Sequence, residues 1–454
     1  MNIVSQLIYP NVDLYLYDLR EGLREDSDQV ALNRKKFWRK IYANLDDKQL
    51  NDFATAESNY DEFVQLLPNV TEDFEKSPYA GFLYPTQLKI DTYALQVDCS
   101  VKDASNNGQK SYTSEEISVF EDMTEEIKRR IDNQHGVLGE TWLIWGQLPK
   151  IHKDPEEIAK ECYQQLSQNG NWDVDFQGQG KLSGATLFEL WQTQRKSDKD
   201  KNGYHLLILL FPSKDSIESI TECIKAIHED LIHLFSFRNK IVWVSNYSNN
   251  LKVELKKKFK EVQKMIDAFK QMNMQLKSQQ NNLSQLQEYL TQSLVILSEY
   301  TNLLSLLNSQ SLTIRVNLLN YQNRLEKIKQ KNSNSDIDFL MKFANEFAAK
   351  NQTQIEMDYA NLSHGLTLIE NLISTIKGTV EIYQANRDRS LNNTIAIAGI
   401  GLATSQIASS VIVAQYPPEK GEFFLHTPAF AGSLLTGVIA SILLWLIFRL
   451  QRRL

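Results

Sequence analysis

Short runs of β-branched, aromatic and leucine residues recur through the first 212 residues, separated by polar stretches, and this pattern predicts a mixed α/β domain. Strands are predicted where such runs are bounded by turn-forming residues. Helices are predicted where apolar residues recur every three or four positions behind a capping residue. The predicted strands are Val12–Leu16, Leu88–Val97, Glu140–Gly146 and His205–Phe211, and the predicted helices are Ser27–Tyr42, Ser114–Ile131 and Asp154–Leu166.

Beyond residue 213 the pattern changes to a seven-residue repeat. Apolar residues recur at almost every seventh position from Leu255 to Leu325, and a second row follows three residues after each. A sustained heptad of this kind is typical of helices that pack as coiled coils. Breaks are expected at 308–311 and 331–335. Residues 213–334 are therefore predicted to form a helical hairpin that folds back antiparallel, with a single extended rod as the alternative.

A further heptad row begins after Ser335, a possible helix cap, and continues without a proline to Tyr416. Residues 335–393 are therefore predicted to form a stalk helix. No charged residue interrupts 390–418 or 423–448. Apolar stretches of about 20 residues match the hydrocarbon thickness of a bilayer. The sequence thus predicts transmembrane helices at 394–416 and 429–448, joined by an outer loop at 417–428 and followed by a basic tail at 449–454.

Basic residues flank the predicted spans on the same side. Arg387 and Arg389 precede the first span, and three arginines lie in the basic tail after the second. By the positive-inside rule both termini are cytoplasmic, which predicts a two-pass protein of the inner or plasma membrane. A buried hairpin of a soluble protein is the alternative.

The first predicted span is unusually rich in small and polar residues, and several of them share one helix stripe. A glutamine in hydrocarbon is costly unless it meets protein or water. The stripe therefore either packs closely against other helices or lines a water-filled pore on an oligomer axis. The candidate pore-lining residues are Asn392, Ala396, Gly399, Ala403, Gln406, Ser410 and Gln415, with Arg389 at the inner mouth of the pore.

Composition narrows the classes of function. With 42% apolar and 10% aromatic residues the chain can build a folded core, and a net charge of −7 argues against nucleic acid as a partner. The three cysteines are far apart, so neither a disulfide framework nor a thiolate zinc site is expected.

No catalytic motif is present, and the chain is not expected to be an enzyme. The glycine-rich segment 178–184 has Leu182 where a phosphate loop needs Ser or Thr to hold Mg²⁺. His228 and His233 are five apart, so they do not share a helix face as a metal pair would. Acidic residues between Glu115 and Glu126 form either a solvated helix face or a site for Mg²⁺ or Ca²⁺.

The order of these predicted parts resembles the CorA family of divalent-cation transporters, which are pentameric funnels whose first spans line the pore. Asn386 and Arg387, just before the first span, and the basic tail lie where members commonly carry such residues. The family's Gly-Met-Asn signature is absent, because the corresponding end of the span reads Val413–Pro418. The fold class implied is an α/β N-terminal cytoplasmic domain, a long antiparallel helical or coiled-coil stalk and a two-helix C-terminal transmembrane hairpin.

Two functions follow from this resemblance. The first is an oligomeric ion channel or transporter, a homopentamer whose first transmembrane helix lines the pore and whose cytoplasmic domain gates it. No cofactor is expected, apart from Mg²⁺ or another divalent cation as permeant or regulatory ion. The alternative is a ligand-activated membrane effector without Mg²⁺ uptake, for example in bacterial antiviral defence, with a small molecule or nucleotide bound to the cytoplasmic domain. Both predict self-association and the lipid bilayer as partners.

Overall fold

The structure is a computed structural model of the 454-residue chain. It describes residues 5–22, 26–58, 60–102, 104–106, 109–167, 170–191, 205–276, 283–332 and 334–384. The chain divides into two compact units. The first, here called the sheet unit, comprises Met1–Glu254 and Leu303–Asn361, and the second, the helical unit, comprises Leu255–Asn302 and Leu362–Leu454.

A ten-stranded sheet forms the centre of the sheet unit. Its strands run in the order β10-β11-β12-β9-β1-β5-β4-β2, with β3 paired to β4 and β8 to β1. The pairing of β12 with β9 is parallel, and the other ladders among the described strands are antiparallel. The strands are β1 (Gln6–Leu19), β2 (Phe63–Gln65), β3 (Glu72–Lys76), β4 (Tyr79–Leu88), β5 (Thr92–Val101), β6 (Ala104–Asn106), β7 (Gln109–Ser111), β8 (Ser114–Glu116), β9 (Gly139–Gln147), β10 (Phe176–Leu182), β11 (Ala185–Trp191) and β12 (His205–Phe211), of which β6 and β7 form a separate hairpin.

Short helices alternate with the strands, and long helices follow them. Asp46 accepts a hydrogen bond from the Gln49 backbone and so caps the second helix, and Pro155 opens the fourth at a position where no backbone donor is needed. The helices are α1 (Ser27–Trp38), α2 (Asp47–Ala56), α3 (Val119–Arg130), α4 (Pro155–Leu166), α5 (Trp172–Asp175), α6 (Ile217–Leu276), α7 (Leu283–Lys331) and α8 (Ala349–Gln384), with a 3₁₀ turn at Asp338–Leu340 and a π-helix at Phe343–Ala348.

Both faces of the sheet are covered, but by different chemistry. On one face Val12, Leu14 and Leu16 of β1 join an apolar core with residues of α1, α3 and α4. Burial of this apolar surface supplies the main driving force for folding. On the opposite face the side chains of Tyr15 and Tyr17 meet α6, where the Tyr17 hydroxyl donates to the Ile232 carbonyl at 2.8 Å. The period-two alternation of β1 therefore separates an apolar face from a polar one, and both are buried.

The helical unit is built from segments of α6, α7 and α8. Its apolar core contains Phe269, Leu286, Leu290, Leu372, Ile376 and Val380. A Cβ on Gly365 would lie 2.4 Å from the Tyr300 hydroxyl, so glycine is required there. The close approach lets Tyr300 donate to the Leu362 carbonyl at 2.6 Å. The heptad pattern thus corresponds to helices packed side by side.

The predicted membrane architecture is corrected by the structure. Across residues 5–384, apart from the gaps given above, no helix combines the length and apolarity needed to cross a bilayer. The long helices instead keep lysines such as Lys256, Lys257 and Lys264 on exposed positions. Within the described residues the fold is therefore an α/β sheet domain followed by long helices, and none of these helices could form a membrane span. The assignment to a two-pass, ion-transporting protein of the inner or plasma membrane is withdrawn for the same reason.

The C-terminal predictions fall on a part of the chain that is not described. The predicted spans 394–416 and 429–448, the loop 417–428 and the tail 449–454 lie outside the described residues. The same holds for the candidate pore residues Asn392, Ala396, Gly399, Ala403, Gln406, Ser410 and Gln415, and for Arg389.

Several local predictions can be compared directly. The strands predicted at 140–146 and 205–211 are confirmed as β9 and β12. The strand Leu88–Val97 is wrong, because a turn at 89–91 divides it between β4 and β5, with Lys89 at a positive φ of 51°. The break expected at 308–311 is absent, since α7 runs through it. A regular helix from Ser335 is also wrong, because a 3₁₀ turn and a π-helix come before α8.

Candidate functional site

The face of the sheet beneath α6 buries an unusual number of polar groups. We call it the polar face, and it contains two clusters. The first, the carboxyl pair, is Asp13 and Asp98. The second, the guanidinium cluster, is Arg238 with Glu189, His205, Trp191 and Phe343. All of them except Trp191 are almost completely buried.

The carboxyl pair is formed by strand register. Asp13 of β1 lies directly opposite Asp98 of β5, and the two carboxyl groups hydrogen-bond to each other. Asp13 also accepts from the Gln96 side-chain amide at 2.7 Å and from the Trp145 indole N–H at 3.0 Å. Burial raises the pKa of Asp13 to about 6, although these hydrogen bonds oppose the rise. Burial and the charge of Asp13 raise the pKa of Asp98 well above its usual range. The pair therefore holds a proton.

The donors around the carboxyl pair do not favour a metal ion. The Gln96 and Trp145 donors point at both oxygens of Asp13, where a cation would need free lone pairs. Within the described part of the chain, no group of three or more His, Cys, Asp or Glu side chains could hold a metal. His228 Nε2 instead contacts the Gln96 carbonyl oxygen, which extends the network to α6. Burial lowers the pKa of His228 to about 4, so the ring is neutral.

Arg238 of α6 is the most unusual group on the polar face. Only 2% of its surface is exposed. Its guanidinium carbon lies 4.8 Å from the centre of the Trp191 ring and 4.7 Å from that of Phe343. Its nearest carboxylate, Glu189, is 3.8 Å from Nε, which is too far for a hydrogen bond. Nε and Nη2 of Arg238 are therefore buried without a hydrogen-bond partner. Each such donor costs about 1–3 kcal/mol.

The oxygen of Glu189 that lies nearest Arg238 also contacts neutral His205. This oxygen, Oε1, lies 3.2 Å from His205 Nε2, and His205 Nδ1 lies 3.0 Å from the Thr141 hydroxyl. Burial raises the pKa of Glu189 to about 7, although Arg238 and Lys342 oppose the rise. Burial also holds the pKa of His205 well below its usual range. Near neutral pH the charge of Glu189 is thus easily changed.

The guanidinium cluster is also a meeting point of secondary-structure elements. Trp191 ends β11, Arg238 belongs to α6, and Phe343 opens the π-helix that leads into α8. From α7, Tyr321 places its ring 5.4 Å from Phe343 and donates to the Leu340 carbonyl at 3.2 Å. The sheet, α6, α7 and the segment that leads into α8 therefore meet at one buried point. Single π-helical turns are frequent at functional sites.

The glycine-rich segment 178–184 has a packing role. It forms the end of β10, and the Phe339 ring fills the space where Cβ atoms of Gly178 and Gly180 would lie, at 2.8 Å from each. The backbone of Lys181 exchanges two hydrogen bonds with Asp336, at 2.8 and 2.7 Å. The structure thus gives the glycines a role that needs no phosphate.

The predicted acidic cluster divides into a buried and an exposed part. The Glu126 carboxylate is buried and pairs with Lys76 at 2.9 Å, with Arg130 at 2.8 Å and with Arg129. Burial acts to raise the pKa of Glu126, but these cations lower it to about 2. Glu121 and Glu125 lie on the exposed side of α3. This cluster joins α3 to β3 and to its own last turn.

The residues of the polar face were missed by sequence reasoning. Three of them are charged residues inside largely apolar runs: Asp13 in VDLYL, Glu189 in TLFELW and Arg238 in LFSFRNKIVWV. Such an interruption was the available signal, because charged side chains are rarely buried without a partner.

Comparison with known proteins adds nothing to the evidence from the geometry. No protein-family model matches the chain, and neither a curated protein nor a solved structure matches it significantly.

Proposed function

We propose that the protein is a signal-responsive effector, in which the sheet unit receives a signal and the guanidinium cluster passes it to the long helices. This retains the regulatory role predicted for the N-terminal domain, together with a small molecule or nucleotide as a candidate signal. Ion conduction is not part of the proposal, since it depended on the transmembrane hairpin.

The single observation that supports the proposal is the buried, incompletely bonded Arg238. A fully satisfied polar cluster would rigidify the core, whereas the two unpaired donors of Arg238 would gain from any rearrangement that brings an acceptor within reach. Arg238 has an aromatic pair on one side and a carboxylate just beyond hydrogen-bonding distance on the other. A small change in the sheet can therefore alter which partner Arg238 prefers.

The carboxyl pair supports the same function, because hydrogen bonds link it to an earlier part of α6. His228 lies ten residues before Arg238 on the same helix and contacts Gln96, which holds Asp13. A change of charge or position at the pair therefore reaches α6 through hydrogen bonds. Coupling through such a network is a recognised route between distant sites.

The test replaces Arg238 by methionine, which keeps the volume but removes the charge. We expect Arg238→Met to slow amide hydrogen exchange in residues 343–361 by about tenfold, because the cluster loses one of its two arrangements. Arg130→Met is the matched control, since Arg130 lies on the opposite face of the sheet and Glu126 keeps two other cations. Unchanged exchange in 343–361 for Arg238→Met, or an equal change for Arg130→Met, would contradict the proposal.

A further inference from the structure

A π-helix lies directly against Arg238, and its hydrogen bonding shows one residue too many for an α-helix. The backbone N–H of Ala349 donates to the Ala344 carbonyl, five residues earlier, instead of four. Phe343 and Phe347 of this segment stack with ring centres 5.4 Å apart. Both rings also meet Trp191, at 5.6 and 4.6 Å. The register of the π-helix therefore decides where Phe343 lies.

Arg238 is held by that same aromatic residue. The Phe343 and Trp191 rings take the guanidinium group, and Nε stays 3.8 Å from Glu189. An N–H to carboxylate hydrogen bond needs about 2.7–2.9 Å, so the two groups are separated by about 1 Å more than bonding requires. Closing that gap would satisfy one of the two unpaired donors of Arg238.

We propose that the π-helix at Phe343–Ala348 and the open Arg238–Glu189 pair are two parts of one register latch. In the observed state the extra residue of the π-helix keeps Phe343 over the guanidinium group. In the second state the segment takes α-helical register, which turns Phe343 by about 100° around the helix axis. Arg238 then moves to Glu189 and bonds to it. The inference rests on the proposed function and names how the guanidinium cluster is regulated.

The groups around the latch fit a two-state element. The Oε1 atom of Glu189 lies 3.2 Å from Nε2 of neutral His205 and 3.8 Å from Nε of Arg238, so the same oxygen that contacts His205 would accept from Arg238. Tyr321 holds the preceding turn through the Leu340 carbonyl, so a register change is confined to the segment that follows it. Asn345 and Glu346 lie on the exposed side of the π-helix. The exposed side of the segment therefore has no packing that opposes a change of register, and the change acts on the buried Phe343.

The experiment deletes Glu346 and compares the variant with Glu346→Ala, which keeps the residue count. Deletion should fix the α-helical register, slow amide exchange in 343–348 by about tenfold and shift the Arg238 Nε–H resonance to the position of a hydrogen-bonded donor. Glu346→Ala should match the unmodified chain in both measurements. The same deletion in a Glu189→Ala background should lose the resonance shift, because Arg238 then has no acceptor.

Two outcomes would overturn the latch: an unshifted Arg238 Nε–H after the deletion, or the same shift with and without Glu189. If the deletion variant does not fold, Phe343→Leu serves instead, since it removes the ring over Arg238 and should produce the same shift. Failure of the latch is distinct from failure of the proposed function. An effect of Arg238→Met on 343–361 together with an unshifted resonance would refute the latch alone.

Discussion

Replacing Asp98 by asparagine tests whether the carboxyl pair holds a proton inside the sheet. Asp13 and Asp98 face each other across β1 and β5, and the partners of Asp13 among the described residues are the neutral Gln96 amide and Trp145 indole together with Asp98. Asparagine has nearly the same shape as aspartate but cannot ionise, and its amide can donate to Asp13. The substitution therefore removes the carboxyl group whose ionisation is opposed by burial and by the charge of Asp13, while keeping the packing of the pair.

The neighbouring Asp13, whose pKa burial raises from 3.8 to about 6, gives the scale of the penalty for ionising a carboxyl group at this place in the sheet. A shift of about two units corresponds to ~3 kcal/mol between the protonated and ionised forms. Because the pKa of Asp13 is raised in the folded state, the protonated carboxyl makes its full contribution to stability below pH 3.8. That contribution is lost as pH rises through about 6. The raised pKa of Asp98 extends the loss to higher pH. Asp98→Asn should thus gain on the order of 1–3 kcal/mol over the unmodified chain at pH 8 and little at pH 4.

Urea unfolding of the full chain, followed by near-ultraviolet circular dichroism at pH 4, 6 and 8, measures this difference. Asp122→Asn, an exposed position on α3, is the control and should keep the pH dependence of the unmodified chain. The reasoning is refuted if Asp98→Asn is the less stable protein at pH 8. It is equally refuted if the difference between the two proteins is independent of pH.

Three further substitutions test the packing and ion pairs by the same unfolding measurement. Gly180→Ala should destabilise the sheet unit by about 1–3 kcal/mol, because its Cβ would lie 2.0 Å from the Asp336 carbonyl oxygen. Gly378→Ala should instead stabilise α8 by about 0.5–1 kcal/mol, since nothing lies within 4 Å of the added carbon, and a loss would contradict the helix assignment. Glu57→Gln should cost about 3–5 kcal/mol, because the buried Glu57 carboxylate pairs with Arg20 at 2.8 Å and Arg34 at 2.6 Å. A measured cost below about 1 kcal/mol would contradict this expectation, because it would mean that the buried ion pair contributes no more than an exposed one.

The sequence pattern predicts a strand best where the strand pairs in parallel and is buried on both faces. The β9 and β12 strands are buried on both faces and read as continuous apolar runs, so their bounds are predicted almost to the residue. The turn between β4 and β5 cannot be recognised from the pattern, because Lys89 and Asp91 alternate with apolar neighbours as the exposed residues of a strand do. The heptad rows predict the long helices but not the π-helix, whose extra residue leaves the apolar spacing of Phe343 and Phe347 unchanged.

The candidate site could not be predicted, because its residues acquire their environment from distant parts of the chain. Asp13 is an ordinary polar-side residue of a half-exposed strand until α6 covers that side. The covering helix begins more than 200 residues later, at Ile217. A pattern of period two shows which side chains share a face, but it does not show whether the second face is covered. In the sequence these buried carboxylates therefore look no different from exposed ones such as Glu121.

The two faces of the sheet stabilise the fold in different ways. The apolar face can tolerate conservative replacements, because burial energy depends on volume and area. The polar face has no such tolerance, since each charged group there is stabilised by a specific neighbour or left at a cost. Asp13 has three hydrogen-bonding neighbours, whereas Arg238 has two donors without one. A chain selected for stability alone would gain by placing an apolar residue at Arg238. The buried guanidinium beside Trp191 and Phe343 is therefore the group whose movement the proposed function requires.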